Sequence, residues 1–349
     1  MPRRNYVLLL VFLFVLLAFV LAASVCSGSV RISLAELFRA FASRVSGGEG
    51  GTAGTIVFEL RLPRSLLAAA VGAALAASGA GFQGVFRNPL ADPYVIGASS
   101  GAALGAALAI TFGAADLGPI SSTSLFAFGG ALAATGLAFA LSRTVADPPP
   151  ASALLLAGTA LSALFSALLS LVLVIKDKDL HTVYYWLLGG FGVSTWNDLV
   201  STVPVMALGI AIVMLASRPL DLLAFGEESA SSLGLDVRKA RAAAVVGASL
   251  AAAAAVGAAG IVGFVGLVAP HAARLVVGPG HRRLVPTAAL VGAVLVLLAD
   301  LFARTVASPL ELPIGVVTAL VGAPFFLYLL AKRGAGSGAG SAGGRGGGR

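Results

Sequence analysis

The chain alternates between long apolar runs and short polar segments, and the length of the apolar runs predicts how they fold. A helix needs roughly 17–25 mostly apolar residues to cross a bilayer. Ten runs are about that long, which predicts an all-α polytopic membrane protein with about ten transmembrane helices. The predicted spans are residues 6–25, 66–86, 95–112, 125–141, 154–175, 199–216, 242–259, 261–277, 284–303 and 312–331.

The two ends of the chain differ in composition from the spans. Arg3 and Arg4 precede the first apolar run, which at roughly 20 residues is longer than the core of a signal peptide and indicates a first span. After Lys332 the chain becomes rich in Gly and Ser, a composition typical of a flexible segment. We therefore predict one transmembrane domain over residues 1–333 and a disordered Gly-rich tail over 334–349.

Charge predicts how the spans are oriented. Only 11% of the residues are charged, against about 25% in soluble domains, which excludes a soluble fold. With both termini inside, fifteen of the 23 Lys and Arg residues lie in the inner segments. Cytoplasmic loops of membrane proteins are enriched in Lys and Arg. We therefore expect the chain to lie in the plasma (inner) membrane with both termini in the cytoplasm. The net charge of +8 then needs no nucleic-acid partner.

One polar segment, residues 218–241, stands out between two predicted spans. It holds eight of the chain's 38 charged residues and would lie on the cytoplasmic side. Its apolar residues recur at helical spacing, and Gly226 and Gly234 are expected to interrupt it, so the segment predicts two short helices. A compact amphipathic element of this kind suits contact with a soluble partner. The alternative is an ordinary solvated loop.

A second segment, RNPLADPYVIGASSG at residues 87–101, joins the second and third spans. Pro89 and Pro93 forbid a continuous helix there. We interpret the segment as a broken helix beside a translocation path, the alternative being a plain tight turn. Residues 69–93 and 243–270 are faintly similar and would cross in opposite directions, as inverted repeats do, although Ala and Gly composition alone gives such a match.

The predicted outer segments carry three arginines that could meet a partner. Arg61 and Arg64 lie in the sequence RLPR, and Arg304 lies at the outer end of the ninth span, where Asp300 is placed to pair with it. The planar guanidinium matches carboxylates, so a docking protein with paired acids could use these residues. The alternative is that they anchor the chain at lipid headgroups.

Other outer residues predict surface structure. Residues 32–41 carry the apolar pattern of a short surface helix, and residues 47–54 suggest a flexible loop. Tyr184, Tyr185, Trp186 and Trp196 resemble an interfacial aromatic belt. The same aromatic side chains could instead line the outer mouth of a path for a bulky flat ligand.

The chain has little that could carry catalysis. His181, His271 and His281 are too far apart in sequence to predict a metal site, and Cys26 is the single cysteine. No lysine follows a glycine, so the sequence lacks a Walker-type phosphate loop. We expect no cofactor in this chain and no enzyme activity. If ATP drives the protein, ATP and Mg are bound by a partner ATPase.

Several long motifs, in one order, resemble the permease subunit of the iron-chelate and cobalamin uptake family, the type II ABC importers. The resemblance runs from about Arg31 to Lys332. The motifs are RLPR (61–64), the GFQ to FRNPLADP stretch (81–93), LLLAGTALSAL (154–164), YYWLLGGFG (184–192), GEESASSLG (226–234), GFVGLVAPHAAR (263–274), LLADLFAR (297–304) and ELPIGVVTALVGAPFFLYLL (311–330).

This resemblance implies an architecture and a set of partners. It implies a cobalamin-permease-like bundle of ten spans that pairs with a second permease copy, as a homodimer, around a central path. Two cytoplasmic ATPase subunits and an external substrate-binding protein complete such an importer. The cargo would be a metal chelate, namely cobalamin, a ferric siderophore or haem, moved by alternating access.

The resemblance also implies roles for particular residues. The segment 220–241 would form the coupling helices that meet the ATPases, and the three arginines Arg61, Arg64 and Arg304 would dock the binding protein. The candidate coupling residues are Gly226, Glu227, Ala230, Leu233, Gly234 and Arg238. The candidate residues of the translocation path or gate are Gln83, Asn88, Pro89, Ser99, Ser162 and Ser166.

One rival function and the choice of cargo stay open at this stage. An ion-coupled secondary transporter that works without an ATPase would be favoured by acids deep within the spans, and the sequence has almost none there. The wording of YYWLLGGFG is closer to the cobalamin branch of the family than to the haem branch. Ferric siderophores remain equally compatible with the sequence.

Overall fold

The computed structural model describes residues 1–28, 32–46, 51–145, 151–192 and 194–339. Helices dominate these residues because an apolar chain in lipid can satisfy its backbone groups only within itself. The helices are α1 (Arg3–Cys26), α2 (Leu34–Val45), α3 (Gly51–Thr55), α4 (Leu62–Val85), α5 (Ala98–Phe112), α6 (Ser122–Ser142), α7 (Ala151–Ile175), α8 (Leu180–Leu187), α9 (Trp196–Leu215), α10 (Ser217–Leu223), α11 (Glu227–Ser232), α12 (Val237–Ala259), α13 (Val265–Val277), α14 (His281–Thr305) and α15 (Ile314–Ala339).

The prediction of about ten spans is confirmed. Seven helical stretches in the described part of the chain are long and apolar enough to cross a membrane, and three shorter apolar helices accompany them. Together they coincide with the ten predicted runs, in helices α1, α4, α5, α6, α7, α9, α12, α13, α14 and α15.

The centre of the bundle is built from α4, α12 and α14, whereas α1 and α7 lie at the periphery. Glycine lets the central helices approach closely. A Cβ atom added at Gly72 of α4 would lie 2.2 Å from the carbonyl oxygen of Gly292 in α14. One added at Gly79 would lie 1.9 Å from the carbonyl oxygen of Gly266 in α13. These contacts are the small-residue packing that lipid favours, because lipid offers no hydrophobic force between helices.

The predicted break after the second span is confirmed. Helix α4 ends in a Schellman motif, in which the N–H of Asn88 donates to the carbonyl of Gln83 at 3.1 Å and that of Arg87 to Gly84 at 3.2 Å. Arg87 takes the left-handed conformation, with φ of 49°, where glycine is usual. A 3₁₀ turn over Pro93–Ile96, whose N-cap is Asp92, then leads into α5.

A second break follows α12 and meets the first. Residues 260–264 are not helical, so the predicted span 261–277 is helical only from Val265 onward. The hydroxyl of Tyr94, in the first break, donates to the carbonyl of Val262 at 3.0 Å. The first break therefore supplies a hydrogen-bond donor to a free carbonyl of the second, as irregular backbone at membrane depth requires.

The bundle has two ends, which we call the terminal face and the far face. At the terminal face, Arg283 at the start of α14 donates to the carbonyl of Met1 at 2.7 Å and places its guanidinium over the ring of Tyr6. At the far face, Arg61 donates to the carbonyl of Cys26 at 3.1 Å. Helices α10 and α11 lie at the terminal face, since Asp221 of α10 contacts His281 of α14.

The predicted surface helix is confirmed as α2. Ser33 begins it with a capping box, in which Ser33 and Glu36 bond each other's backbone N–H groups. The expected flexible loop is wrong over 51–54, which are helical in α3, while residues 47–50 lie outside the described residues. Helix α15 continues to Ala339, so most of the predicted tail, 340–349, also lies outside them, and the domain division remains a prediction.

Candidate functional site

The segment between α9 and α12 forms two short helices at the terminal face, as predicted. We call residues 217–234 the α10–α11 element. Leu220, Leu223 and Ala230 are buried against the bundle, which fixes the element in place. Phe225 and Leu233 are 78% and 69% exposed. The element therefore presents large apolar side chains beyond the bundle, where they can contact a partner.

The six candidate coupling residues belong to this element and to the start of α12. Gly226 and Gly234 have φ of 109° and 83°, and added Cβ atoms there would meet open space. The backbone conformation, and not crowding, thus requires glycine at both positions. Glu227 pairs with the buried guanidinium of Arg241 in α12. Leu233 and Arg238 are exposed, whereas Ala230 is buried.

A polar link joins the α10–α11 element to the central helix α14. The carboxylate of Asp221 accepts hydrogen bonds from the backbone N–H of His281 at 2.8 Å and from its ring Nδ1 at 2.7 Å. Burial alone would raise the pKa of Asp221, but these hydrogen bonds lower it below its usual value. Because the carboxylate also lies at the N-terminus of α14, the helix dipole favours its charge. Movement of α10 is thereby tied to α14.

The predicted path residues near α4 surround a cavity at the terminal face. The cavity has a volume of about 440 Å³, and Gln83, Pro89, Asp221 and Arg274 are among the residues that line it. Gln83 accepts from Arg274 at 2.8 Å and donates to the carbonyl of Gly266 at 3.3 Å. Gln83 therefore ties α4 to α13 and, at 3% exposed, leaves little surface for a ligand.

The other predicted path residues lie apart from this cavity. The side chain of Asn88 is exposed and accepts from the backbone N–H of Leu90 at 3.0 Å. Ser162 of α7 donates to the carbonyl of Gly158 at 2.8 Å. Ser99 is half-buried in the first turn of α5, and Ser166 is exposed on α7. The six residues do not line one cavity in this chain, and their path role stays a prediction.

A network of charges occupies the far face. Arg64 donates to Asp300 at 2.9 Å and to Glu311 at 3.0 Å. Asp300 also pairs with Arg304 one turn later at 3.4 Å, as the sequence predicted. Asp300 is 1% exposed, so its charge requires these guanidinium partners. The network joins α4, α14 and the loop before α15.

Two of the three predicted docking arginines hold the end of α1. Arg61 donates to the carbonyls of Val25 and Cys26 at 2.9 and 3.1 Å, and Arg304 donates to the carbonyl and hydroxyl of Ser24. These carbonyls belong to the last turn of α1 and lack helical partners, so cations there also complement the helix dipole. Arg61 and Arg304 are 7% and 6% exposed, which leaves little of either for a docking protein.

Arg64 differs from the other two arginines because it borders a cavity. This far-face cavity has a volume of about 800 Å³ and is also lined by Tyr185, Trp186, Asp300 and Glu311. Tyr184 and Tyr185 are 57% and 65% exposed. The aromatic side chains thus gather at one face, as an interfacial belt would, and some of them also line the cavity.

One feature of the far face had no visible signal in the sequence. Residues Ile56–Arg61 form a π-helical segment between α3 and α4, and the carbonyl of Phe58 in this segment accepts from the indole N–H of Trp196 at 2.8 Å. A π segment shifts the helical register by a residue and frees carbonyl groups for other donors. It therefore sets the directions in which Arg61 and Arg64 point.

Comparison with known proteins agrees with this geometry. The sequence profile of the FecCD transport family matches residues 15–332 of this chain. The chain is 44% identical to the cobalamin import system permease protein of Halobacterium salinarum, over 84% of this chain and 78% of that one. It is 38% identical to the hemin transport system permease protein of Yersinia pestis, over 93% and 96%. An inward-facing structure described as a metal-chelate type ABC transporter matches with a TM-score of 0.81 and 35% identity, over 93% and 98%.

The fold and the two faces are those of a multi-pass membrane permease, with an element that exposes Phe225 and Leu233 at one end and a charged cavity at the other. The chain belongs to the FecCD transport family. Its role is that of a permease subunit of an ABC importer of the metal-chelate type, and the resemblance drawn from the motifs is confirmed.

Proposed function

We propose that this permease imports cobalamin, with ferric siderophore and haem as the other candidate cargoes. The observation that carries the choice is the higher identity to a cobalamin permease than to a hemin permease, 44% against 38%. The aromatic side chains at the far-face cavity suit a large, flat, partly apolar ligand.

ATP hydrolysis is proposed to occur in two separate cytoplasmic ATPase subunits, which bind ATP and Mg. Each ATPase subunit is proposed to contact the α10–α11 element of one permease copy. The exposure of Phe225 and Leu233, on an element that Leu220 and Leu223 bury against the bundle, supports this contact. The link from Asp221 to His281 then gives a route from the ATPase to α14. Since α14 also carries Asp300 and Arg304, one rigid helix connects the two faces.

The proposed orientation has both termini in the cytoplasm and the far face outside the plasma (inner) membrane. It is supported by the excess of Lys and Arg in the segments that this orientation leaves inside. It also puts the α10–α11 element on the side where ATP is available. A second permease copy is proposed to complete the path. Helix α7, most of whose residues are not buried within this chain, would face the dimer axis.

An external substrate-binding protein is proposed to dock at the far face. Arg64 is the best placed of the three arginines to meet acidic residues, because it borders the open cavity. Glu311, whose side chain is 51% exposed, competes for the same guanidinium. We propose that Arg61 and Arg304 act beneath the docking surface, by holding the end of α1.

Arg61→Ala is expected to loosen α1. The substitution leaves the carbonyls of Val25 and Cys26 without their charged donor, a loss of about 1–3 kcal/mol in stability. The thermal midpoint of the purified protein should fall, and protease should cut faster between α1 and α2. Lys178→Ala removes an exposed cation at the same face and should change neither. If the variant keeps its thermal midpoint but binds the substrate-binding protein more weakly, the structural role is contradicted, and Arg61 instead contacts the binding protein directly.

The cargo can be identified by parallel uptake into liposomes. The permease, reconstituted with its ATPase and binding protein, is offered labelled cobalamin, haem and a ferric siderophore at equal concentration. We expect ATP-dependent accumulation of cobalamin at least about tenfold above the other two, which corresponds to about 1.4 kcal/mol of discrimination. Accumulation of haem or siderophore instead would contradict the choice of cargo and leave the importer role intact.

A further inference from the structure

Helix α2 has two faces, and only one of them packs on the protein. Ala40 is 3% exposed, and Leu37 lies against the small apolar cluster formed by Val25, Ile32 and Val57. This face covers the end of α1 and the π segment. The cluster fixes α2 beside the last turn of α1, at the far face of the bundle.

The opposite face of α2 is apolar and mostly exposed. Phe38 is 73% exposed and Phe41 is 46% exposed, and Ala35 and Ala42 are exposed as well. At about 100° per residue, these four positions fall within an arc of about 120°. No charged residue of α2 falls inside that arc. The helix therefore carries a continuous apolar stripe on the side that points away from the bundle.

Cations border the stripe on both sides. Arg39 lies about 40° beyond one edge of the arc and Arg44 about 60° beyond the other. Arg44 is held in place, with its guanidinium 5.7 Å from the ring centroid of Phe58 and 3.5 Å from the carboxylate of Glu59. The ring of Phe58 in turn packs edge-on against that of Phe41 at 4.9 Å. The orientation of α2 is thus fixed by these side chains.

The surface beside α2 is the lipid-facing side of α1. Val15 and Phe19 of α1 are 63% and 69% exposed, as expected for a peripheral span. Leu60, which is 60% exposed at the start of the neighbouring span, extends the apolar surface on the other side. The chain thus exposes apolar side chains both on α2 and on the two spans, α1 and α4, that it connects.

We propose that α2 is an interfacial helix that lies in the outer surface of the bilayer, with Phe38 and Phe41 among the upper acyl chains and Arg39 and Arg44 at the headgroup phosphates. An apolar arc flanked by cations is the arrangement by which amphipathic helices bind a lipid surface. The long arginine side chains can reach the phosphates while their methylene groups stay near the apolar layer. The proposal rests on the membrane location of the chain and on the proposed orientation, and on neither the cargo nor the partners.

Such a helix would fix the depth of the far face. Helix α2 packs on the last turn of α1 and on the π segment that leads to Arg61 and Arg64. Anchoring α2 at the headgroups therefore holds both arginines at a set height relative to the lipid surface. The lipid composition of the outer leaflet would then influence how firmly this region is held.

The test places a fluorophore at residue 38. In a Cys26→Ser background, Phe38→Cys is labelled with an environment-sensitive dye and the protein is put in nanodiscs of phosphatidylcholine and phosphatidylglycerol. We expect quenching by lipids spin-labelled in the upper acyl chain to be at least about threefold stronger than at a label on Phe225→Cys, with weak quenching by iodide. Phe225 is a matched control because it is 78% exposed but lies at the opposite face.

A second label fixes the depth of the helix. A dye at Arg39→Cys should be quenched most by headgroup spin labels and should remain partly accessible to iodide. This result would place residue 39 closer to the aqueous phase than residue 38. Labels at both positions that respond to iodide like residue 225, and ignore spin-labelled lipid, would overturn the proposal. The bare stripe would then belong to a soluble partner at the far face.

Discussion

Gly292→Val is expected to abolish the folded permease. A Cβ at this position would lie 2.3 Å from the carbonyl oxygen of Gly72 and 2.5 Å from the Cβ of Ala76, so α14 and α4 would have to separate. Overpacking of a well-packed core costs about 1–3 kcal/mol, and a clash with backbone atoms lies at or above the top of that range. The yield of monodisperse protein on size-exclusion chromatography should fall at least about tenfold, which corresponds to about 1.4 kcal/mol.

The matched control is Gly136→Val. Gly136 lies in the middle of α6, is exposed, and has open space where a Cβ would be added. The same change of side chain should leave the yield within about twofold of the wild type, since surface substitutions usually change stability by less than about 0.5 kcal/mol. A Gly292→Val protein that purifies as well as this control would show that α4 and α14 do not cross at this distance.

Leu233→Asp is expected to uncouple transport from ATP hydrolysis while the bundle stays folded. Leu233 is 69% exposed, so the substitution removes no packing inside the chain. At an interface with an ATPase, however, the aspartate would bury a charge against an apolar surface, which costs several kcal/mol unless the charge is paired. Uptake per ATP hydrolysed, measured in liposomes with both subunits present, should fall by at least about tenfold.

Lys178→Ala serves as the control for this substitution. Lys178 is exposed at the far face and lies outside the segment 220–241, so the substitution removes a charge far from the α10–α11 element. Its uptake should match that of the wild type. If Leu233→Asp transports as well as this control, the exposed residues of the element have no part in coupling.

Much of the fold follows directly from the sequence. The ten spans are marked by apolar length, because length is what the bilayer constrains. The break at Pro89 and Pro93 follows from two closely spaced prolines, each of which removes a helical hydrogen bond. Gly226 and Gly234 similarly mark the two short helices, since their positive φ angles suit no other residue as well.

What the sequence could not reveal depends on the backbone. The partners of Arg61 and Arg304 are main-chain carbonyls at the end of α1, which leave no mark in the residue types. Both arginines therefore resembled free docking cations. The non-helical residues 260–264 and the π segment were missed because apolar composition is equally compatible with a continuous helix.

The central claim is that an ATPase drives this permease through the α10–α11 element. The most direct test is uptake of labelled cobalamin into liposomes that contain the permease, its ATPase and its binding protein. ATP is supplied on the side of the ATPase, with and without an imposed proton or sodium gradient. We expect accumulation that requires ATP and does not depend on either gradient. Accumulation driven by a gradient in liposomes that lack the ATPase would contradict it and identify an ion-coupled secondary transporter.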